Sequence, residues 1–288
     1  MKLRSLAIMK TKNFDLIVDQ YLDRSVEWVD ETFSVHLSIV SGLVNSIVEA
    51  LNKLLLMPPF YITMILFGVL AWKTSGPFMA FFTFIGLLFC YVMNLWDATI
   101  GTLSLVLVST SLALLIAIPL GILSALVDSI SKVTRPLMDF LQTMPPYVHL
   151  IPALILLGYN RSAAVFTVSI AAFPPALRLT DLGIRQVPVE QVEAGRAFGA
   201  TPGQILLKIQ LFSAFSTIMT GINQCLMIAL SMSVIAGMIG GGGLGKEVYK
   251  ALSSLQIDKS IDTGLAIVLL AIILDRISQG SPNIFKKN

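Results

Sequence analysis

Charged residues are scarce in this chain. Asp, Glu, Lys and Arg make up 13% of the 288 residues, about half their share in an average soluble domain. Only Lys73 and Asp97 are charged between Leu54 and Val127, and residues 209–245 contain no charge. Hydrophobic residues make up 55% of the chain, which is more than one soluble core of this length can bury. The composition excludes a disordered chain and predicts an integral membrane protein.

Cysteine and histidine are also rare. Cys90 and Cys225 lie in apolar runs, which makes a structural disulfide an unattractive interpretation, and with His36 and His149 they form no metal-binding pattern. The net charge of +3 is too small to indicate nucleic acid as a partner. The chain contains neither H-E-x-x-H nor G-x-S-x-G. We therefore expect no catalytic residue, no bound metal and no cofactor on this chain.

Seven apolar segments predict an all-α fold with about seven transmembrane helices. They cover residues 57–72, 77–93, 99–126, 145–158, 162–177, 209–239 and 263–274. Joining the first two into one helix would put Lys73 near the bilayer centre, at a cost of about 2.5–3.5 kcal/mol. Gly76-Pro77 is typical of a turn, so residues 57–94 are predicted to form a helical hairpin.

Residues 1–56 predict an amphipathic helical region. The apolar stretch at residues 6–9 is too short for a secretory signal. Acidic residues recur every four positions from Asp15 to Glu31, beside an apolar face that continues to Leu55. Four polar residues interrupt the later part of this face: Ser41, Asn45, Glu49 and Asn52. We expect the region to lie on the membrane or to pack on the rest of the protein.

Lys and Arg indicate the orientation of the chain. Basic residues at 132, 135, 178–208, 276 and 286–287 favour a cytoplasmic C-terminus, with residues 280–288 as a cytoplasmic tail. An odd number of spans then places the N-terminus outside the cytoplasm.

The string Gly240-Gly-Gly-Gly-Leu-Gly-Lys246 imitates a nucleotide-binding loop. Such loops follow a strand, whereas here the preceding residues form an apolar membrane segment, and Glu247 stands where a P-loop has Ser or Thr. We interpret the string as a glycine-rich exit from the sixth span, where backbones approach closely. Gly240, Gly243 and Gly245 are candidate gate residues.

Residues 178–208 form a polar interruption between two spans. Pro188 and Gly199 bracket a predicted short helix over 191–198, and Thr201-Pro202 can cap the next one. Three small residues, Ala194, Gly195 and Gly199, would permit close approach of a partner. Glu193 and Arg196 would add polar contacts. On these grounds alone, a plain interfacial connector is the favoured interpretation.

This segment resembles the EAA loop of ABC importer permeases, E-A-A-x3-G-x9-I-x-L-P. Glu193, Ala194, Gly199, Ile209 and Leu211 match that pattern, whereas Gly195 replaces an Ala and Phe212 replaces the final Pro. The resemblance implies that Glu193, Ala194, Gly195, Arg196 and Gly199 couple the permease to an ATPase.

A wider resemblance covers residues 95–279. The segments 141–146, 150–153, 173–180, 182–187, 221–224, 229–232 and 271–276 are similar to permease subunits of glycine betaine/proline-type osmoprotectant importers. Ser213, Ser216 and His149 depart from that subfamily, and we expect none of them to touch the short helix. The resemblance implies a type I importer permease domain, in a multi-pass protein of a bacterial inner membrane.

The resemblance also implies the partners. These are a second copy of this permease, two cytoplasmic ATPase subunits that bind ATP and Mg²⁺, and an extracytoplasmic substrate-binding protein. The surrounding membrane lipid is a further partner, and nucleic acid is not.

Polar and soft residues on the sixth span suggest a translocation pathway. The candidates are Asn223, Gln224, Met227 and Ser231, although small and hydroxyl residues also serve as packing contacts between membrane helices. The expected solute is glycine betaine, proline betaine or a related compatible solute. The alternatives are an amino-acid permease, for example for methionine, an ion-coupled secondary transporter and a membrane scaffold. The scarcity of intramembrane charge counts against ion coupling.

Overall fold

The computed structural model of the protein describes residues 24, 32 and 34–285, except for the side chains of residues 281–285. The acidic repeat at residues 15–31 and the basic pair Lys286-Lys287 lie outside the described residues, apart from residue 24. Over the described range the chain is helical, with no strand among those residues. The predicted all-α membrane fold is confirmed.

Twelve α-helices follow one another along the described chain. They are α1 (Ser34–Leu56), α2 (Phe60–Ser75), α3 (Pro77–Val92), α4 (Trp96–Leu126), α5 (Asp128–Thr143), α6 (Leu150–Leu157), α7 (Arg161–Arg185), α8 (Val189–Ala197), α9 (Pro202–Ile205), α10 (Leu211–Ala236), α11 (Gly243–Ser253) and α12 (Ile257–Phe285). A π-helical turn at Leu206–Gln210 joins α9 to α10, and 3₁₀ turns occupy Pro146–His149 and Gly237–Ile239.

Four segments are long and apolar enough to cross a membrane: Ser34–Leu56, Trp96–Leu126, Arg161–Arg185 and Pro202–Ile239. The predicted short span at 145–158 is the second half of a bent helix pair, because Asp128–Thr143 and Pro146–Leu157 meet at a bend of 114°. Two consecutive prolines, Pro145 and Pro146, occupy that break, where a helix cannot continue regularly. Helices α2 and α3 are apolar but shorter.

Helices α4, α7 and α10 form the centre of the bundle. Small residues bring them together: a Cβ on Gly121 would lie 2.7 Å from the Thr180 side chain, and one on Gly183 would lie 3.1 Å from Thr217. Close backbone approach through small residues is the usual way in which helices pack in lipid. The three helices run between the two ends of the bundle.

The end of the bundle that carries α8, which we call the α8 end, lies opposite the glycine loop, residues 240–245. At the glycine-loop end, a Cβ on Gly101 of α4 would touch Gly243, and one on Gly240 would touch Asn160 before α7. The α2–α3 turn faces the other way: Gly76 has a φ of +92°, and the Ser75 hydroxyl donates to the Arg276 carbonyl at 2.6 Å. The predicted hairpin is confirmed.

Helix α1 lies across the glycine-loop end of the bundle. Near its start, the hydroxyls of Ser41 and Ser162 are 2.6 Å apart, next to the beginning of α7. Just beyond its end, the ring of Phe60 stacks on Tyr91 with centroids 3.9 Å apart, close to the beginning of α4. Both ends of α1 therefore meet the same end of the bundle. Although α1 is long enough to cross a membrane, it packs on the rest of the protein.

Candidate functional site

The short helix α8 projects from the bundle between α7 and α10. It begins after Pro188 and ends before Gly199, whose φ of +78° is a left-handed conformation that glycine adopts without strain. The next helix starts with a capping box, in which Thr201 and Gln204 each accept a backbone N–H of the other. The predicted helix over 191–198 is confirmed, with its first residue two positions earlier and its last one position earlier. The predicted loop 178–208 contains the last two turns of α7.

The residues assigned to coupling lie on two faces of α8. Glu193, Ala194 and Arg196 are exposed, as is Gly199, and they can meet a partner, whereas Gly195 is buried. A Cβ on Gly195 would lie 2.5 Å from Cδ1 of Ile209 in the π-helical turn. Gly195 therefore seats α8 on the start of α10, and the other four face outward.

A hydrogen bond ties α8 to α10. The Ser213 hydroxyl on α10 donates to Oε1 of Gln191 on α8 at 2.8 Å. The expectation that Ser213 would not touch the short helix is therefore wrong. The chain reverses direction through residues 198–205, which brings the first turn of α10 beside α8, and spacing along the sequence did not reveal this. Together with the Gly195–Ile209 contact, the bond makes α8 and the start of α10 a single mechanical unit.

An ionic cluster fastens the last turns of α7 beside α8. Nε of Arg185 donates to Asp181 at 2.8 Å, and the two Nη atoms donate to Asp128 at 3.0 Å and to the Ser124 carbonyl at 2.7 Å. Arg135 of α5 lies 3.7 Å from the buried Asp181 carboxylate. A carboxylate held by two guanidinium groups resists being separated from them. The cluster therefore locks α4, α5 and α7 together at the α8 end.

The sequence analysis did not identify the environments of two side chains, one exposed and one buried. Phe198, directly after α8, is 92% exposed, and a large exposed aromatic side chain is a typical anchor for a partner. His149 is 4% exposed in the 3₁₀ turn at the α5–α6 bend, and neither ring nitrogen has a hydrogen-bond partner in the protein. The aromatic before the predicted helix stop could have indicated Phe198. Nothing in the sequence could have indicated the environment of His149.

The candidate pathway residues on α10 separate into two groups. Gln224, Met227 and Ser231 are exposed along one face. Asn223 instead accepts a short hydrogen bond from the Ser278 hydroxyl on α12, which makes it a packing contact between helices. A face of three exposed, partly polar residues in an apolar bundle can border a pathway or a second copy of the chain.

The candidate gate residues form a tightly packed connection. Gly240, Gly242 and Gly243 all have positive φ. A Cβ on Gly243 would collide with the Thr102 hydroxyl, and one on Gly245 would lie 2.7 Å from the Ser233 carbonyl. The Leu244 N–H donates to the Thr102 hydroxyl at 2.7 Å. The loop follows α10 rather than a strand, and neighbouring segments pack directly against the backbone of several of its glycines. No group of three metal-ligating residues occurs in the part of the chain that the structure describes.

The comparison with protein families decides what this bundle is. Residues 117–280 match the model of the binding-protein-dependent transport system inner membrane component. The chain belongs to this family. The matched region contains the bent α5–α6 pair, α8 and α10, so the elements described above lie within the family's permease core. As a permease component of an ABC transporter, the chain is a membrane transport subunit and not an enzyme.

Relatives of known activity extend the similarity over most of the chain. It is 41% identical over 262 residues to the glycine betaine transport system permease protein OpuAB of Bacillus subtilis (strain 168), which covers 90% of this chain and 92% of that one. It is 40% identical over 262 residues to the glycine betaine/proline betaine transport system permease protein ProW of Escherichia coli (strain K12), covering 91% and 74%. The resemblance to glycine betaine/proline-type permeases is confirmed.

Among solved structures, an inward-facing MetNI methionine ABC transporter chain has a TM-score of 0.57. It shares 23% identity and covers 67% of this chain and 95% of that chain. At this identity the likeness concerns the fold, and it confirms the predicted type I permease architecture. These comparisons do not test the roles of the coupling, pathway and gate residues, and those roles stay predictions.

Proposed function

We propose that this permease imports glycine betaine, proline betaine or a related compatible solute, driven by ATP hydrolysis on a separate subunit. The observation that carries the proposal is helix α8, an outward-facing short helix seated on α10 in a chain about 41% identical to a glycine betaine permease. ATP hydrolysis is assigned to a partner that binds this helix, since the chain belongs to a family of transport permease components. Two ATPase subunits and an extracytoplasmic binding protein complete the transporter.

The seat of α8 supports a mechanism of coupling. Two copies of this permease form a homodimer, and each α8 binds one ATPase. ATP binding closes the ATPases, because ATP prefers the closed state. Closure moves the two α8 helices toward each other. The Gln191–Ser213 hydrogen bond and the Gly195–Ile209 contact transmit that movement to α10, whose face of Gln224, Met227 and Ser231 borders the solute.

The orientation follows from the same partners. The α8 end is cytoplasmic, since the ATPases are cytoplasmic. Lys132, Arg135, Arg178 and Arg185 belong to this end, as the positive-inside rule requires. The glycine-loop end is then extracytoplasmic, and α1, which lies across it, places the N-terminal region outside. The C-terminus is cytoplasmic.

Uptake measurements test this function. Cells lacking their own betaine importers and expressing the permease with its ATPase and binding protein should accumulate labelled glycine betaine at high osmolarity. Excess proline betaine or choline should compete, and methionine should not. Affinity purification of the permease should also recover an ATPase. Competition by methionine alone, or uptake that persists after ATP depletion, would refute the assignment.

A further inference from the structure

A polar cavity of about 490 Å³ lies at the glycine-loop end, between α1, the start of α7 and the start of α11. Its lining includes Asn45 and Glu49 from α1, Tyr159 and Arg161 from the α6–α7 connection, and Lys246 from α11. The cavity is separate from the α10 face and from α8. It is also not explained by helix packing, because packing in an apolar bundle does not require three ionisable side chains around one opening.

The charges around this cavity are unpaired. Within the part of the chain that the structure describes, neither Glu49 nor Arg161 nor Lys246 has an oppositely charged atom within 4.0 Å. By contrast, the arginines and aspartates at the α8 end pair with each other. Charged groups that converge on a cavity without neutralising one another leave their interactions available to a ligand.

Helix α1 aims its polar side at the cavity. Ser41, Asn45 and Glu49 are four residues apart and share one helical face, and Ser41 anchors that face to α7 through Ser162. Oδ1 of Asn45 is inaccessible to solvent and has no hydrogen-bond partner in the protein. A buried amide oxygen without a partner is costly, so the polar side of α1 is not arranged for packing alone.

The glycine loop keeps the cavity open. Gly242 has a φ of +72°, and a Cβ at this position would meet no atom within 4 Å. Gly240 packs so closely on the Asn160 backbone that its Cβ would lie 3.0 Å away. Gly240 therefore holds the loop against the start of α7, while Gly242 leaves an unfilled space in the wall of the cavity.

The charge pattern selects the ligand. An anion would be attracted by Arg161 and Lys246 but repelled by Glu49. A simple cation would be attracted by Glu49 but repelled by Arg161 and Lys246. A small molecule with one carboxylate and one ammonium group satisfies all three. Tyr159, which is 72% exposed, offers an aromatic face to an alkylated ammonium group through a cation–π contact.

We propose that this cavity is an outer binding site for a small zwitterionic solute on the permease itself. The solute carboxylate contacts Arg161 and Lys246, and its alkylammonium group lies between Glu49 and Tyr159. The site deepens the proposed function and rests on it for the identity of the solute. It receives solute released at the extracytoplasmic end and holds it beside the glycine loop, before the pathway.

Direct binding tests the site. The permease–ATPase complex in lipid nanodiscs, without the binding protein, should show saturation-transfer NMR signals with glycine betaine. Tetramethylammonium and acetate each carry one of its two charges, and we expect both to bind at least about tenfold more weakly. Glu49→Gln, Arg161→Gln and Lys246→Gln should each weaken glycine betaine binding about tenfold. Lys250→Gln is the matched control, because Lys250 lies one turn further along α11 and lines a different cavity.

Each outcome is decisive. Unchanged glycine betaine binding in all three cavity variants, or no binding by the wild-type complex, overturns the site. So does a loss of affinity for the binding protein with unchanged solute binding, which would make the cavity a protein-docking surface. The uptake assay distinguishes the site from the proposed function. If the wild type imports glycine betaine and the cavity variants bind it unchanged, the proposed function stands and the site is refuted. If the complex binds the solute but does not import it, the function is refuted and the site stands.

Discussion

Gly199 shows how one residue can set the shape of a docking surface. Its left-handed backbone ends α8, and its Cβ position is open space. Any effect of a side chain there must come from backbone strain or from contact with a partner, since the permease itself offers no clash. Two substitutions can separate these causes.

Gly199→Val should abolish coupling. A β-branched residue in the left-handed region costs at least about 1–2 kcal/mol, which deforms the end of α8. We expect glycine betaine uptake to fall at least about tenfold, with the complex still assembled in the membrane and still hydrolysing ATP. Gly199→Asn is the control, because Asn tolerates this conformation, and it should retain most of the uptake. Normal uptake by the Val variant would contradict a coupling role.

Phe198→Ala should weaken the binding of the ATPase. The ring contributes little to the permease fold at 92% exposure, whereas truncation of an aromatic anchor at an interface costs about 2 kcal/mol or more. Pull-down at increasing salt should release the ATPase from this variant first. Phe78→Ala, which removes a 77% exposed ring from α3, should leave retention unchanged. Equal retention by both variants would exclude Phe198 as an anchor.

At the scale of elements, the position of α8 depends on the locked ends of α4, α5 and α7. The Asp181 side chain is 10% exposed and meets two arginines, whereas Asp139, at 65% exposure, pairs with the half-exposed Arg178. Solvent screening makes the second pair weak. The cluster of Asp181 with Arg135 and Arg185 is therefore the one that holds α4, α5 and α7 together.

Asp181→Asn should therefore lower the thermal stability of the purified permease. Removing this carboxylate leaves Arg185 without the more buried of its two carboxylate partners, and we expect a loss of about 1–3 kcal/mol in the free energy of unfolding. Asp139→Asn should cost less than about 1 kcal/mol. Thermal unfolding in detergent compares the two. A larger shift for Asp139→Asn would show that the buried cluster does not stabilise the bundle.

The sequence predicts the helix α8 itself better than it predicts the contacts of α8 and α10. Helix α8 is predictable because its signals are local: Pro188, Gly199 and Thr201 each act on adjacent backbone. Its seat on α10 is not predictable, because the Gln191–Ser213 bond and the Gly195–Ile209 contact depend on how the chain reverses between them. The outward face of α10 was predictable as a polar edge, but the removal of Asn223 from it by Ser278 on α12 was not.

At the scale of the whole molecule, α1 decides the topology. Its length and apolar character are those of a transmembrane helix. The Ser41–Ser162 hydrogen bond near its start and the Phe60–Tyr91 stack just beyond its end show instead that it lies across one end of the bundle. Hydropathy alone cannot distinguish these two placements, since it measures the apolar character of a helix and not its contacts.

Labelling of introduced cysteines tests this topology. Cys90 and Cys225 are buried, so the wild-type permease should react little with a membrane-impermeant maleimide. Ser38→Cys in α1 should react in intact cells, and Ala197→Cys at the end of α8 should react only after the membrane is opened. Labelling of Ala197→Cys in intact cells, or protection of Ser38→Cys until permeabilisation, would reverse the proposed orientation.

The placement of α1 also bears on how the protein is made. An apolar segment of 23 residues that precedes the other spans presents the insertion machinery with the same signal as a true span. Its resting place does not yet exist at that moment, because Ser162 is synthesised only after five further helices, α2 to α6. Biogenesis must therefore keep α1 at the membrane surface, or return it there, until α7 is in place. The final position of α1 thus depends on the order in which the helices are synthesised.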